Sequence, residues 1–239
     1  MNSFSLDDRV LVSPRYLAGA GPDRIGDALG PLIHLFGWLP QHDTATGHVS
    51  ITSPGGTIVL DFDPSDRFGR WWTISHHDPY WTAEFSRQTP IEAVAAVTQV
   101  LPQMIGDRRH SDQMALTTSS LMQIAELSGW NSEEGTHISP DGHCRLHHTS
   151  AGNRWKFQHD VYEGFDTQWD ASFTGAPHQL VAHFLAHLAS SAPVERRFGD
   201  VPFLVQNYEG AHITAARGTA TPPQIHHAVS QLGKTTRRI

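Results

Sequence analysis

Histidine is the residue type in this sequence with the widest chemical range, and 17 of the 239 residues are histidine. The densest group lies in the second half of the chain and consists of His137, His143, Cys144, His147, His148 and His159. Zinc requires four nitrogen or sulfur ligands that converge tetrahedrally. Alternation along a strand instead places residues 143, 145 and 147 on one face and residues 144, 146 and 148 on the other. We therefore expect no metal site, although the sequence leaves open whether this histidine-rich half binds a metal.

Other patterns that carry catalysis are missing. The chain has no Gly-x-Ser-x-Gly elbow, no phosphate-binding loop and no dinucleotide-binding glycine pattern. His183 and His187 are spaced for one face of a helix but have no third ligand in view. Asp61, Asp63 and Asp66 could hold a hard cation, yet such acids more often belong to a solvated turn. These observations predict a non-catalytic protein without a cofactor, and a hydrolase is the poorest alternative.

The charge of the chain is uneven. Its formal net charge is −7, but no acid follows Glu209, where four basic residues give the C-terminal segment +4. Those residues are Arg217, Lys234, Arg237 and Arg238. Residues 1–209 therefore carry −11, and an acidic body does not attract phosphate over its whole surface. Any nucleic-acid site must be a local patch or the tail.

Composition narrows the class of protein. Hydrophobic residues make up 38% and charged residues 17%, which is typical of a folded chain. No apolar run approaches the roughly 20 residues that span a bilayer, and residues 1–9 lack the apolar core of a secretion signal. Cys144 is the single cysteine and cannot form an internal disulfide. We expect a cytoplasmic protein that does not enter membranes.

Two stretches of the chain repeat one order of markers. The first contains Gly37-Trp38, Ser53-Pro54-Gly55-Gly56, Trp72, Trp81 and Pro90. The second contains Gly129-Trp130, Ser139-Pro140-Asp141-Gly142, Trp155, Trp169 and Pro177. Apolar periodicity and turn residues predict a helix, four strands and a second helix in each. We therefore predict an α+β protein with a tandemly duplicated αββββα unit, in which a helix packs on one face of an antiparallel meander.

The predicted boundaries are residues 9–106 for the first repeat, 113–205 for the second and 215–239 for a basic tail. The two sheets are expected to lie side by side about a pseudo-twofold axis. Internally symmetric units often assemble further, so a homodimer is expected. The layout is also that of Whirly- and PUR-like nucleic-acid-binding folds, which is an analogy of architecture only.

The duplicated markers resemble the SPDY-motif family, also called DUF317, of actinomycetes and especially Streptomyces. The resemblance covers about residues 9–205 and rests on five markers that occur twice in the same order. The first turn departs from the motif because it reads Ser-Pro-Gly-Gly, and neither copy has the tyrosine of the motif name. The resemblance implies no catalytic residues. It implies a setting among plasmids, plasmid transfer, mobile elements and DNA-associated processes.

Alternation along the strands gives the aromatic residues two possible roles. Trp72, Trp81, Trp155 and Trp169 share strand faces with apolar residues, which favours a buried core over a platform for unpaired bases. The opposite faces carry Trp71, Thr73 and Ser75 in one copy and Arg154, Lys156 and Gln158 in the other. An ordinary solvated face is one interpretation of these residues. A surface that grips a nucleic-acid backbone is the other.

We expect a nucleic-acid-associated binding protein whose ligand is single- or double-stranded DNA or RNA. The residues predicted to bind it are Arg70, Trp71, Arg154, Lys156, Arg237 and Arg238. The alternative is a protein-interaction or assembly module with an acidic surface and a protein partner. The sequence does not decide between them.

Overall fold

The two sequence copies fold into matching runs of elements within a computed structural model, which describes residues 4–114, 116–133, 135–162 and 168–216. Strand β1 (Arg9–Ser13) precedes the first copy. The first copy consists of α1 (Ile25–His34), β2 (Leu39–His42), β3 (Val49–Thr52), β4 (Ile58–Phe62), β5 (Arg70–His77), β6 (Tyr80–Ser86) and α2 (Ile91–Met104). The second consists of α3 (Leu121–Leu127), β7 (Asn131–Glu133), β8 (Thr136–Ile138), β9 (Cys144–Thr149), β10 (Arg154–His159), β11 (Trp169–Thr174) and α4 (His178–Leu188). Strand β12 (Val194–Arg197), helix α5 (Phe203–Gln206) and strand β13 (His212–Ala215) complete the described elements.

The copies join through their last strands, β6 and β11, which pair antiparallel in a ten-stranded sheet. The strand order is β2-β3-β4-β5-β6-β11-β10-β9-β8-β7. Three cross-strand pairs show the symmetry: Phe85 with Ala171, Glu84 with Ser172, and Ala83 with Phe173. Because the sequence repeat equates Ala83 with Ala171 and Phe85 with Phe173, a pseudo-twofold axis passes between Glu84 and Ser172. The predicted pair of neighbouring sheets is therefore one continuous antiparallel sheet.

Within the described residues each copy has five strands, and the predicted four-stranded unit misses one in each. The missed strands, β2 and β7, follow Trp38 and Trp130 and lie at the two edges of the sheet. All their residues are exposed. Their sequences, Leu-Pro-Gln-His and Asn-Ser-Glu, show no apolar alternation because an edge strand with exposed side chains needs no buried face.

The helices form a layer on one face of the sheet, in the order α1-α2-α4-α3. The strand tryptophans face this layer, and Trp72, Trp81, Trp155 and Trp169 are each at most 8% exposed. Phe184 of α4 contacts three phenylalanine rings of the sheet, at centroid distances of 4.7–5.5 Å. The prediction that these tryptophans are core residues is confirmed, and they offer no platform for stacked bases.

The duplicated serine-proline turns share one hydrogen bond, in which the serine hydroxyl accepts from a backbone N–H five residues later. The Ser53 side chain is buried, and its Oγ accepts from the backbone N–H of Ile58 at 3.0 Å. Ser139 Oγ accepts from the N–H of Cys144 at 2.9 Å in the second copy. Gly56 and Gly142 complete the turns with φ of +70° and +81°, which favour glycine. The motif is therefore a structural signature of the hairpin.

A three-stranded sheet in the order β12-β1-β13 stands apart from the main sheet. Strand β1, which the predicted boundaries assign to the first repeat, thus pairs with strands that follow the second. Arg196 of β12 is fully buried, and its guanidinium bonds both carboxylate oxygens of Glu92 on α2, at 2.5 and 2.6 Å. This ion pair ties the small sheet to the helix layer.

Two further sequence expectations meet the structure only in part. No helix in the described part of the chain has the length and apolar character needed to cross a bilayer. The predicted tail, 215–239, reaches the described residues only at Ala215 and Ala216, and Arg237 and Arg238 lie outside them.

Histidine–tryptophan stacks also recur in both copies. His76 stacks on Trp81 with 9° between the ring planes, and the equivalent His159 stacks on Trp169 with 5°. His159 is fully buried, and among the described residues neither ring nitrogen has a hydrogen-bond partner, although the side chain of Gln168 lies near enough to interact with the ring. Burial lowers the pKa of His159 to about 4, because the charged imidazolium would lose its hydration.

We predict that Ser53→Ala lowers the free energy of unfolding by about 1–3 kcal/mol, because it leaves the buried N–H of Ile58 without an acceptor. Ser65→Ala is the control, since that hydroxyl bonds Asp63 in an exposed turn, and its effect should stay within about 0.5 kcal/mol. Urea unfolding curves measure both. Equal stability of the two variants would contradict the proposed role of the turn.

We also predict that His159 makes the protein less stable as the pH falls from about 6.5 towards about 4. In this window the unfolded chain binds a proton that the folded chain excludes. Stability is therefore lost by up to about 1.4 kcal/mol per pH unit from this residue, and none is lost above the window. His159→Phe should remove this contribution in urea titrations at pH 7.5 and 5. The exposed His147→Phe should not, and a wild-type slope in His159→Phe would refute the assignment.

Candidate functional site

The face of the sheet opposite the helices carries the polar side chains of the strands. Lys156 pairs with Ser172, Arg154 with Thr174, and Arg70 with Ser86. A β-bulge between Arg70 and Trp72 shifts the register of β5 against β6. Strict alternation from the buried Trp72 would turn Arg70 towards the helices, but the bulge brings it to the outer face instead.

These side chains surround a cleft of about 230 Å³ on the outer face, where the two copies meet. Its lining is predominantly polar or charged and consists of Phe68, Arg70, Glu84, Phe85, Ser86, Arg154, Lys156, Asp170 and Ser172. Ser172, at the pseudo-twofold axis, is only 5% exposed. Both copies therefore contribute to one site, with Arg70 from the first and Arg154 and Lys156 from the second.

The charges in the cleft are only partly balanced. Arg70 Nη1 lies 3.1 Å from Glu84 Oε1, and Ser172 Oγ donates to Glu84 Oε2 at 3.4 Å. Within the described part of the chain, Arg154 and Lys156 make no ion pair. Asp170 also lines the cleft, so three cations share it with two carboxylates, and neither Arg154 nor Lys156 is in ion-pair contact with them.

The loop before β5 positions the rim of the cleft. Asp66 Oδ1 accepts from the backbone N–H groups of Phe68 and Arg70, both at 2.9 Å. Phe68 is 72% exposed, and the guanidinium of Arg67 lies 4.8 Å from its ring centroid. Sequence reasoning placed Asp66 in a solvated turn and overlooked Phe68, although an aromatic between two arginines was a visible signal.

Trp71 does not join the other predicted residues. Its ring packs edge-on against Phe62 at 5.9 Å, and the guanidinium of Arg87 lies over it at 5.2 Å. It is half-buried and does not line the central cleft. Simple alternation placed Trp71 on the same face as Thr73 and Ser75, but the bulge at the start of β5 interrupts that alternation.

The outer face changes character between the copies. One row of cross-strand neighbours runs over the outer face and crosses the pseudo-twofold axis. It contains Asp61 and Glu84 in the first copy, and Lys156 and His147 in the second. Arg145 adds a further cation on β9, where it lies 3.7 Å from Asp160. The basic side of the sheet therefore belongs to the second copy.

The histidine cluster divides as alternation predicts, with Cys144 and Leu146 buried and Arg145 and His147 exposed. Burial raises the pKa of the Cys144 thiol well above its usual value. No group of three or more metal-ligating side chains converges within the described residues. Asp61, one of the three acids considered as ligands of a hard cation, has its Oδ1 3.4 Å from His48 Nε2.

The family comparison explains the duplication. The model of the SPDY family, a domain of unknown function (DUF317), matches residues 52–103 and again residues 138–194. The predicted resemblance to this family in two tandem copies is confirmed. No match was found among curated proteins or among solved structures.

Proposed function

We propose that this chain, which carries two tandem SPDY domains, is a non-catalytic nucleic-acid-binding protein that holds the phosphate backbone at the central cleft. The observation that carries the proposal is the convergence of Arg70, Arg154 and Lys156 where the copies meet. Arg154 and Lys156 make no direct ion pair among the described residues, so phosphate oxygens would supply a direct partner.

The shape and position of the cleft favour a single strand. A sheet face with a basic groove and an exposed aromatic at its rim suits a backbone with unstacked bases. Phe68 supplies that ring, and the hydroxyl of Ser86 lies beside the cations. On the outer face, Asp61 and Glu84 of the first copy restrict the attraction to the cleft and to the strands that carry Arg154 and Lys156.

The family gives the proposal its setting. We extend it to plasmid or mobile-element functions of actinomycetes in the cytoplasm, with DNA or RNA as the ligand and the basic tail as an additional contact.

The alternative is an assembly module that binds protein. Its supporting observation is strand β2, whose four residues are exposed and include Leu39 at 64%. Exposed edge strands pair readily with other chains, including a second copy of the same chain. A co-purified protein partner together with no nucleic-acid binding at low salt would favour this alternative.

We predict that Arg154→Ala/Lys156→Ala weakens binding of a fluorescent single-stranded DNA or RNA at least tenfold at low salt. The slope of log affinity against log salt should fall by about 1.4, because about 0.7 is lost per phosphate contact on a single strand. Fluorescence anisotropy over a salt series measures both quantities. The control Arg108→Ala/Arg197→Ala removes the same charge at exposed positions outside the cleft.

Two results would refute this function. One is the absence of wild-type binding to any nucleic acid at low salt, where electrostatic attraction is strongest. The other is equal weakening by the cleft variant and its control, since a diffuse charge effect would then explain the binding.

We further predict that Glu84→Gln strengthens nucleic-acid binding several-fold. The change frees Arg70 from its ion pair, and the amide oxygen still accepts from Ser172. Glu126→Gln, on the exposed surface of α3, removes the same charge as a control in the anisotropy assay. Unchanged or weaker binding by Glu84→Gln would show that Glu84 does not compete with phosphate at the cleft.

A further inference from the structure

A second cleft lies at the serine-proline turn of the second copy, between that turn and the three-stranded sheet. Its volume is about 470 Å³. It is lined by Ser13, Pro14, Tyr16, Ser128, Trp130, Pro140, Asp141, Ala189, Ser190, Ser191, Gly210 and His212. It shares no residue with the central cleft, and neither the proposed function nor the family description uses it.

The distinctive group in this wall is the carboxylate of Asp141. Its Oδ1 accepts from Ser139 Oγ at 2.5 Å and from the N–H of His143 at 3.2 Å. Among the described residues its Oδ2 is buried and has no hydrogen-bond partner, and the Tyr16 hydroxyl lies near enough to interact with this carboxylate. Among the described residues, no lysine or arginine lies within ion-pair distance of Asp141. A buried carboxylate oxygen without a donor or counter-ion is costly, so a ligand that supplies both would bind favourably.

Aromatic rings lie beside this carboxylate. Tyr16 and Trp130 both line the cleft and meet edge to face at 6.4 Å. Burial, then the charge of Asp141 and a hydrogen-bonding interaction with that carboxylate, raise the pKa of the Tyr16 hydroxyl, so the phenol stays neutral. Both rings are nearly buried, at 3% and 4% exposed, so only a small part of each borders the cleft. Aromatic rings together with a carboxylate recognise organic cations. The lining contains no lysine or arginine, which leaves nothing to attract an anionic ligand except His212.

In the first copy, an arginine side chain of the same chain lies near the position that corresponds to Ser128 of the second cleft. The repeat equates Ser128 of the cleft with Phe36, two residues before Trp38. The guanidinium of Arg109 lies 5.6 Å from the Phe36 ring centroid and donates to the Phe36 carbonyl at 3.1 Å. Asp107 provides the counter-ion at 2.6 Å. An aromatic, a carbonyl and a carboxylate thus hold a guanidinium in the first copy.

The second copy differs from the first at the turn itself. Asp141 replaces Gly55, so the acid is part of the turn rather than of the connecting segment. We propose that the second cleft binds an alkylammonium or guanidinium group, with Asp141 as its counter-ion and Tyr16 and Trp130 against its carbon chain. The ligand is either a free small amine or guanidine, or a lysine or arginine side chain of a protein partner.

The test uses the full chain and four probes in isothermal titration calorimetry. n-Butylammonium and n-butylguanidinium represent free ligands, a Gly-Arg-Gly peptide represents a protein side chain, and n-butanol is the uncharged match. At least one cationic probe should bind at least tenfold more tightly than butanol. Tighter binding of the peptide than of butylguanidinium indicates a protein partner, and the reverse indicates a small molecule.

Asp141→Asn keeps the shape of the turn and an acceptor for Ser139 but removes the charge, so cation binding should fall at least tenfold. Asp61→Asn, on the outer face of the sheet, should leave cation binding unchanged.

If near-ultraviolet circular dichroism shows that Asp141→Asn is misfolded, the proposal is tested instead with Tyr16→Phe and with the comparison of butanol and the cations on wild-type protein. Tyr16→Phe keeps the ring and the carboxylate and should retain a preference for the cation. Equal binding of butanol and the cations, no binding of any probe at millimolar concentration, or unchanged affinity in a folded Asp141→Asn would overturn the proposal. None of these results bears on the central cleft.

Discussion

The antiparallel pairing of β6 with β11 is the interaction on which the rest of the molecule depends. It joins the two repeats through their final strands and sets the pseudo-twofold axis between Glu84 and Ser172. It also makes α2 and α4, which follow these strands, neighbours at the centre of the helix layer. A ten-stranded sheet with one covered face follows from this pairing, and so does a shared surface on the other face.

The symmetry of the backbone contrasts with the asymmetry of the outer face. Positions that face the helices keep their character in both copies, as with Trp72 and Trp155 or Phe85 and Phe173, because the same close-packed layer covers them. Positions that face outwards are free of that constraint. The second copy has Lys156 where the first has Thr73, and Asp141 where the first has Gly55. Duplication supplied the frame, and the unconstrained positions diverged into two different clefts.

The two clefts differ in the sign of the charge that lacks a direct partner. At the centre of the sheet, cations outnumber their counter-ions, and Glu84 limits the excess by pairing with Arg70. At the serine-proline turn, a carboxylate oxygen is buried without a partner beside aromatic rings. The ligands proposed for the two sites, phosphate and an organic cation, therefore differ in charge. Because the two clefts share no lining residue, these proposed ligands would not compete for the same side chains.

The sequence by itself determined the duplication, the order of the helices and inner strands of each copy, and the inward side of those strands except at the start of β5. Those features depend on residues near one another in the chain: the alternation around Trp72 and Trp155, the prolines at 90 and 177 before α2 and α4, and the serine turns. Tertiary structure decided the union of the two sheets, the edge strands β2 and β7, and the membership of both clefts. Strand pairing between residues 88 positions apart, such as Glu84 and Ser172, leaves no local pattern in the sequence. The bulge in β5 reverses the alternation from which the facing side of each residue is predicted, so Arg70 enters the central cleft and Trp71 stays outside it. The position of Arg154 and Lys156 on the outer face was therefore predictable, whereas their meeting with Arg70 and Glu84 required the fold.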